Sequence, residues 1–95
     1  MGDYKIVIDA GHGGSDSGAV GNDIVEKNLT LDISKYMYDV FKNLGIPVTL
    51  TRTDDETLTP DERVSRILNA YGNSNDVIVI SNHINAGGPA FLGCD

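Results

Sequence analysis

Three short runs of apolar and β-branched residues lie along the chain, and two longer stretches with a different apolar spacing separate them. The short runs cover residues 4–9, 46–51 and 76–81, and each predicts a β-strand. Pro47 stands near the start of the second run, where a sheet needs no N–H donor. Near-continuous apolar strands of this kind are typical of a parallel sheet that is covered on both faces.

The two longer stretches carry apolar residues at intervals of three and four, which is the spacing of one helical face. The first predicts a helix over residues 28–44 that stops at Gly45, with apolar positions at Leu29, Ile33, Met37, Val40, Phe41 and Leu44. The second predicts a helix from the capping box Thr59-Pro60-Asp61-Glu62 to Gly72, with apolar positions at Val64, Ile67, Leu68 and Tyr71. The order β-α-β-α-β predicts an α/β fold with a mainly parallel sheet and helices on both faces, in a single partial domain over residues 1–95.

Residues 11–22 contain five glycines and predict a loop between the first strand and the first helix. Such a loop can cradle a phosphate, but this one matches neither G-x-x-x-x-G-K-S/T nor G-x-G-x-x-G. The segment His12-Gly13-Gly14 is similar to a lipase oxyanion loop, yet no G-x-S-x-G motif follows it. A phosphate-binding module is therefore the weakest function considered, and a lipase is rejected.

The charge and composition of the chain argue against two classes of partner, nucleic acids and membranes. The formal net charge of −7 argues against nonspecific nucleic-acid binding, and no polybasic segment is present for an anionic membrane surface. No apolar run approaches the length of a membrane span, and a single cysteine, Cys94, excludes an internal disulfide framework. We expect neither a nucleic acid nor a membrane as a partner. From the residues given, we expect no signal segment directly ahead of the first strand pattern.

Both histidines of the chain directly follow predicted strands. His12 comes after the first strand and His83 after the third, while Glu26 lies just ahead of the first long helix. Because ligands bind beyond the carboxyl ends of parallel strands, we expect the three side chains at one rim of the sheet. Two imidazoles and one carboxylate are the ligand set of a catalytic zinc site, which suits hydrolysis of an amide or ester.

Each of these residues also has a simpler interpretation. A histidine after a strand is often hydrogen-bonded within its own loop, and a glutamate at a helix start interacts with the helix dipole. Arg52 and Arg63 are interpreted as solvated or paired surface charges close to the same rim. For the second ring nitrogen of His12 the local candidates are Asp9, Asp16 and main-chain groups of its loop, and we expect a main-chain partner.

Several spaced motifs carry a resemblance to a known family. They are Asp9-Ala10-Gly11-His12-Gly13-Gly14, Asp16-Ser17-Gly18-Ala19, Glu26-Lys27, Thr51-Arg52, Arg63 and Ser81-Asn82-His83-Ile84-Asn85-Ala86. In this order, over residues 4–88, they resemble the zinc-dependent N-acetylmuramoyl-L-alanine amidases of the amidase-3 family. These are cell-wall lytic enzymes of bacteria and of phage endolysins.

The resemblance implies a zinc ion held by His12, Glu26 and His83, and substrate contacts from Asn85 and Arg63. It implies that the substrate is the amide joining N-acetylmuramic acid to L-alanine, with peptidoglycan or a muropeptide as the partner. An extracellular or cell-wall location follows from that substrate.

The resemblance also implies further strands and helices, and a second glutamate near the end of the domain as general acid/base. Here the residues after Gly88 are Pro-Ala-Phe-Leu-Gly-Cys-Asp, and the one carboxylate after His83 is Asp95. The catalytic residue therefore stays unknown, and we expect an incomplete domain with weak hydrolysis. The alternative function is a non-catalytic fragment that binds zinc or cell wall. An uncovered sheet edge in such a domain also predicts self-association.

Overall fold

The computed structural model describes residues 4–21, 23–72 and 74–83 of the chain. In chain order the elements are β1 (Lys5–Ala10), β2 (Val20–Gly21), β3 (Ile24–Val25), α1 (Glu26–Asn43), β4 (Val48–Leu50), α2 (Pro60–Tyr71) and β5 (Val77–Asn82). The three predicted strands and two predicted helices are all present, with ends that differ from the predictions by at most two residues. The α/β class with a parallel sheet is confirmed.

β1 is the central strand of a three-stranded parallel sheet in the order β4-β1-β5. In this register Ile8 lies opposite Leu50 of β4, and Asp9 lies opposite Ser81 of β5. All three strands run in the same direction, so their carboxyl ends meet at one rim of the sheet. The glycine-rich segment after β1 leaves the sheet at that rim.

The two helices pack on opposite faces of this sheet. Asn82 of β5 donates to Ser34 of α1, while its neighbour Ser81 donates to Asp9, which accepts from Arg63 of α2. Adjacent side chains of a strand point to opposite faces. The expectation of helices on both faces is therefore confirmed for the part of the chain that the structure describes.

The predicted loop over residues 11–22 contains a strand that the sequence pattern missed. β2 pairs antiparallel with β3, Val20 opposite Val25, in a small hairpin that leads into α1. At the helix start, the N–H of Glu26 donates to the carbonyl of Ala19 and the N–H of Lys27 to the carbonyl of Ser17. These bonds satisfy donors that a helix start otherwise leaves unpaired. The helix therefore begins two residues earlier than predicted, at Glu26.

The predicted end of α1 and start of α2 are confirmed by their hydrogen bonds. Gly45 has a φ of 79°, and its N–H donates to the carbonyl of Lys42 while the N–H of Ile46 donates to that of Phe41. This pattern satisfies carbonyls that the helix leaves free. In α2, Thr59 and Glu62 form the reciprocal capping box.

The buried line of α1 is polar. Its buried residues Glu26, Thr30 and Ser34 follow one another at intervals of four, and Thr30 donates its hydroxyl to the carbonyl of Gly11. The predicted apolar stripe is only partly covered by the described residues, since Leu44 stays exposed. Glu26 and Thr30, in the first turns of α1, hydrogen-bond to main-chain groups at the rim. Such bonds require polar side chains. No helix within the described residues is long and apolar enough to cross a bilayer.

Candidate metal centre

His12, Glu26 and His83 lie together at the rim where β1 and β5 end. The Nε2 atom of His12 is 3.2 Å from Oε2 of Glu26, and Nδ1 of His83 is 3.6 Å from the same oxygen. One ligand atom from each residue lies within 4.8 Å of the other two. The imidazole rings stand edge to face, with their centroids 5.1 Å apart. The structure therefore brings together the three residues that the sequence placed at this rim.

Glu26 is oriented by the main chain around it. Its residue surface is 4% exposed, and its Oε1 atom accepts the N–H of Ala19 at 2.9 Å. That bond turns Oε2 toward the two histidines. A buried carboxylate is tolerated here because it is hydrogen-bonded and stands at the positive end of α1.

Two glycines make room for this arrangement. A Cβ atom on Gly18, whose φ is 69°, would lie 2.6 Å from the His12 ring and 2.7 Å from Oε1 of Glu26. A Cβ atom on Gly11 would lie 2.6 Å from the ring of His83. Neither contact is compatible with a side chain, so the close approach of the three groups depends on glycine at both positions.

His12 has a carboxylate partner on its other ring nitrogen. Its Nδ1 atom is 2.9 Å from Oδ2 of Asp16, and this hydrogen bond holds the pKa of Asp16 below its usual range. An Nδ1–H that donates to Asp16 leaves the Nε2 lone pair facing Glu26, which is the form that a metal ligand needs. The prediction of a main-chain partner for His12 is therefore wrong. The main chains of Gly13 and Asp16 pair with each other, so the loop folds back and brings the Asp16 carboxylate next to the His12 ring.

The donor set fits a tetrahedral ion, and two of its spacings are close to those of one. Zinc bonds of about 2.0–2.1 Å place neighbouring ligand atoms about 3.3–3.4 Å apart. The separations of 3.2 and 3.6 Å that Glu26 makes with the two histidines bracket that range, and all three ligand atoms lie within 4.8 Å of one another. Three protein ligands also leave a fourth position for water or substrate. The residues present therefore suit a metal ion, which would draw the ligand atoms to a common spacing.

Arg52 is buried, so its interpretation as a surface charge is wrong. The residue is 2% exposed, and its guanidinium donates to the carbonyls of Ala10, Gly11 and Lys27 at 3.2, 3.0 and 2.9 Å. Burial and the neighbouring Arg63 guanidinium lower the pKa of Arg52 from its usual value. The end of β4 is thereby tied to the end of β1 and the start of α1. The sequence pattern could not indicate these partners, since all of them are main-chain groups.

The segment after β4 also braces the glycine-rich loop. Lys27 donates its ammonium to the carbonyl of Gly14 at 2.8 Å and to Asp55 at 2.9 Å, and the N–H of Gly14 donates to the same carboxylate. The N–H of Ser15 donates to the hydroxyl of Thr57. Asp55 and Thr57 therefore support the loop that carries His12, a role that sequence reasoning missed.

The candidate centre lies on an open rim. His83 has a side chain that is 49% exposed. The cleft described beside β4 and α2, of about 420 Å³, contains none of the three candidate ligands and is lined by Thr49, Leu50, Thr51, Arg52, Thr53, Glu56, Arg66, Asn69 and Ala70. The side of the candidate centre that carries His83 is therefore open to solvent.

Asn85 lies outside the described residues, so its contact with substrate stays a prediction. Arg63 is half-buried, and its guanidinium donates to Asp9 and to two main-chain carbonyls.

Comparison with known proteins places these residues in a family. The amidase-3 family model, described as N-acetylmuramoyl-L-alanine amidase, matches residues 6–94. An uncharacterized protein of Bacillus subtilis, YqiI, is 45% identical over 82 residues, which cover 86% of this chain and 38% of that protein. The sporulation-specific N-acetylmuramoyl-L-alanine amidase of the same organism is 41% identical over 86 residues, which cover 88% of this chain and 32% of that protein.

A solved structure agrees with the sequence comparisons. It is the catalytic domain of CwlV, an N-acetylmuramoyl-L-alanine amidase from Bacillus (Paenibacillus) polymyxa var. colistinus. The two folds match with a TM-score of 0.78 at 36% identity, over 90% of this chain and 48% of that chain. The present chain therefore spans between about a third and about half of the length of these relatives.

Proposed function

We propose that this chain, which belongs to the amidase-3 family of N-acetylmuramoyl-L-alanine amidases, forms the metal-binding part of a zinc-dependent peptidoglycan amidase. The bond hydrolysed is the amide between N-acetylmuramic acid and L-alanine. The convergence of His12, Glu26 and His83 at one rim carries the proposal. The enzyme acts where peptidoglycan is, at the cell wall or outside the cell.

In this proposal the three residues are zinc ligands, and their neighbours prepare them for that role. Asp16 accepts the Nδ1–H of His12 and so presents Nε2 as a lone pair. The N–H of Ala19 donates to Oε1 of Glu26, and Oε2 faces the two histidines. A zinc ion bound in such a site polarises an amide carbonyl and makes water a better nucleophile near neutral pH.

A second candidate function is binding of zinc or cell wall without hydrolysis. It is favoured by the share of its relatives that the chain spans, 38% of YqiI and 32% of the sporulation-specific amidase. A positioned general acid/base typically contributes about 10²–10⁴-fold to the rate of such a reaction. If the family's second glutamate has no counterpart in this protein, muropeptide release is expected to be slower by about that factor than with a longer relative.

Metal analysis tests the first part of the proposal. The purified chain is expected to hold one zinc per molecule, whereas His83→Ala, with two ligands left, is expected to lose tight binding. Tyr36→Ala, a change of an exposed ring on α1, serves as the matched control and keeps its zinc. Stoichiometric zinc in the His83→Ala protein would contradict the ligand assignment.

A muropeptide-release assay on purified peptidoglycan separates the two candidate functions. Zinc-dependent release, lost in His83→Ala and kept in Tyr36→Ala, supports the amidase. Retention of zinc with no release above a metal-free sample supports binding alone.

A further inference from the structure

We propose that Arg63 is a positioning residue that, through Asp9 and Ser81, sets the spacing between the two histidines of the metal centre. The inference rests on the proposed function, because it concerns the affinity and geometry of the metal site. It differs from the substrate contact that the family resemblance implies for this arginine.

Arg63 is directed at the segment that carries His12. From the first turns of α2 its Nη1 atom donates to Asp9 and to the carbonyl of Ala10, the latter at 2.8 Å. Its Nη2 atom donates to the carbonyl of His12 itself at 3.1 Å. The guanidinium therefore contacts the Asp9 carboxylate near the end of β1, the carbonyl of Ala10, which is the last residue of β1, and the carbonyl of the candidate ligand His12.

His12 needs such support because its main chain has a φ of 63°. A non-glycine residue holds this conformation only when its surroundings impose it. The hydrogen bond to its own carbonyl restrains the peptide plane that follows its Cα atom. A change in that plane would turn the imidazole away from Glu26.

Asp9 extends the same restraint to the strand of the second histidine. Its Oδ2 atom accepts the hydroxyl of Ser81 at 2.8 Å, and its Oδ1 atom accepts the hydroxyl of Thr51 at 2.9 Å as well as Arg63. Ser81 lies two residues before His83 and directly opposite Asp9 in the sheet register. One buried carboxylate thus joins α2, β4 and β5 at the level where β1 ends.

The network connects both histidine-bearing segments without contacting the metal ligands' ring atoms. Groups that orient ligands in this way typically change metal affinity about 10–100-fold when they are removed. A lysine at position 63 keeps the positive charge beside Asp9. Its single ammonium cannot reproduce the planar fork that reaches three acceptors.

The test measures cobalt(II), used in place of zinc because its visible absorption reports ligand geometry. Arg63→Lys is expected to bind cobalt at least about 10-fold more weakly than the unmodified chain and to show a shifted visible band. Arg66→Lys is the matched control. It makes the same substitution one turn further along α2, at an arginine that bonds to Glu56 and to the carbonyl of Thr51, and both cobalt readouts are expected to stay unchanged.

Two further variants separate positioning from stability. Ser81→Ala removes one hydroxyl from the network and is expected to weaken cobalt binding and shift the band in the same direction, with folding retained by circular dichroism. Ile6→Val, at the other end of β1 where the residue is buried, lowers stability away from the rim and is expected to leave cobalt affinity unchanged.

The outcomes are distinct. If the unmodified chain binds no cobalt, the proposed function fails. If it binds cobalt and both Arg63→Lys and Ser81→Ala bind it equally well with the same band, the positioning role is overturned. If Ile6→Val weakens cobalt binding to the same extent, the positioning role is also overturned. A raised KM in Arg63→Lys with unchanged cobalt affinity would overturn it too, because that pattern indicates a substrate contact.

Discussion

The two strands that lead to the histidines differ in burial, although their residues are alike. β1 reads Lys-Ile-Val-Ile-Asp-Ala and β5 reads Val-Ile-Val-Ile-Ser-Asn, and they pair residue by residue. Val7 and Ile8 are 0% exposed, whereas Ile78 and Val79 are 42% and 45% exposed. β1 lies between two strands, and β5 lies at an edge of the described sheet. Position in the sheet therefore decides how much equivalent side chains contribute to the core.

The same difference continues into the candidate centre. His12, after β1, is half-buried and hydrogen-bonded to Asp16. His83, after β5, is exposed. The central strand thus supplies the restrained side of the site, and the edge strand supplies its accessible side. The candidate ligand set therefore combines one restrained histidine with one that is exposed.

The largest expected effect comes from truncating an isoleucine in each strand. Ile8→Ala should cost about 2–5 kcal/mol of the free energy of unfolding, because it opens a cavity in a closed part of the core. Ile78→Ala should cost about 1 kcal/mol or less, since much of that side chain already contacts water. Urea unfolding followed by circular dichroism measures both. Equal losses at the two positions would mean that β5 is covered in solution, and the contrast would then be wrong.

A smaller effect is expected from the carboxylate at the end of β1. Burial alone would raise the pKa of Asp9, but hydrogen bonds from Arg63, Ser81 and Thr51 outweigh it and keep that pKa below 3.8. A lowered pKa in the folded state means that Asp9 stabilises the fold above about pH 3.8, and this contribution disappears as the pH falls through the folded-state pKa. Asp9→Asn should therefore destabilise the protein by about 1.5–3 kcal/mol at neutral pH, and the difference should shrink below pH 3.8.

The control for this prediction lies at the start of β5. Asp76 is bonded to Lys5 and Ser74 at the surface, so Asp76→Asn should change stability far less than Asp9→Asn at neutral pH. Unfolding curves collected between pH 3 and pH 7 compare the two. A cost for Asp9→Asn that is independent of pH would contradict the role given to its charge.

The smallest effect on stability is expected from a lysine on the edge strand. Exposed edge strands pair with other chains, and an added charge prevents that pairing. We expect the unmodified chain to self-associate through β5 and Val79→Lys to be monomeric, with a change of about 0.5 kcal/mol or less in stability. Val40→Lys, at an exposed apolar position of α1, is the matched control and should associate as before. Sedimentation velocity measures this, and a monomeric unmodified chain would disprove the association.

Much of the fold could be predicted because the relevant signals are local. Alternation of apolar runs and helical stripes predicted the α/β order, and the capping box at Thr59 and the glycine at residue 45 predicted two helix ends. The hairpin of β2 and β3 could not be predicted in this way. Each of its strands has two residues, which is too short for any periodic pattern.

The candidate ligands could be placed at a common rim, but their supporting groups could not. Asp16 was one of several possible partners for His12, and the folding of the glycine-rich loop selected it. Arg52 gave no sequence signal of burial, because a charged side chain is buried only where acceptors surround it. Those acceptors are carbonyls of segments far apart in the chain.

By itself the sequence determined the three strands of the parallel sheet and the two helices with their order, the end of α1 and the start of α2, and the attachment of each histidine to the end of a strand. These depend on residues within a few positions of one another. The tertiary structure decided that β1 is central and β5 lies at an edge of the described sheet, that the buried line of α1 is polar, and that Arg63 and Asp9 join both histidine-bearing segments. Such features depend on which distant segments become neighbours, and similar stretches of residues take different roles when their neighbours in space differ.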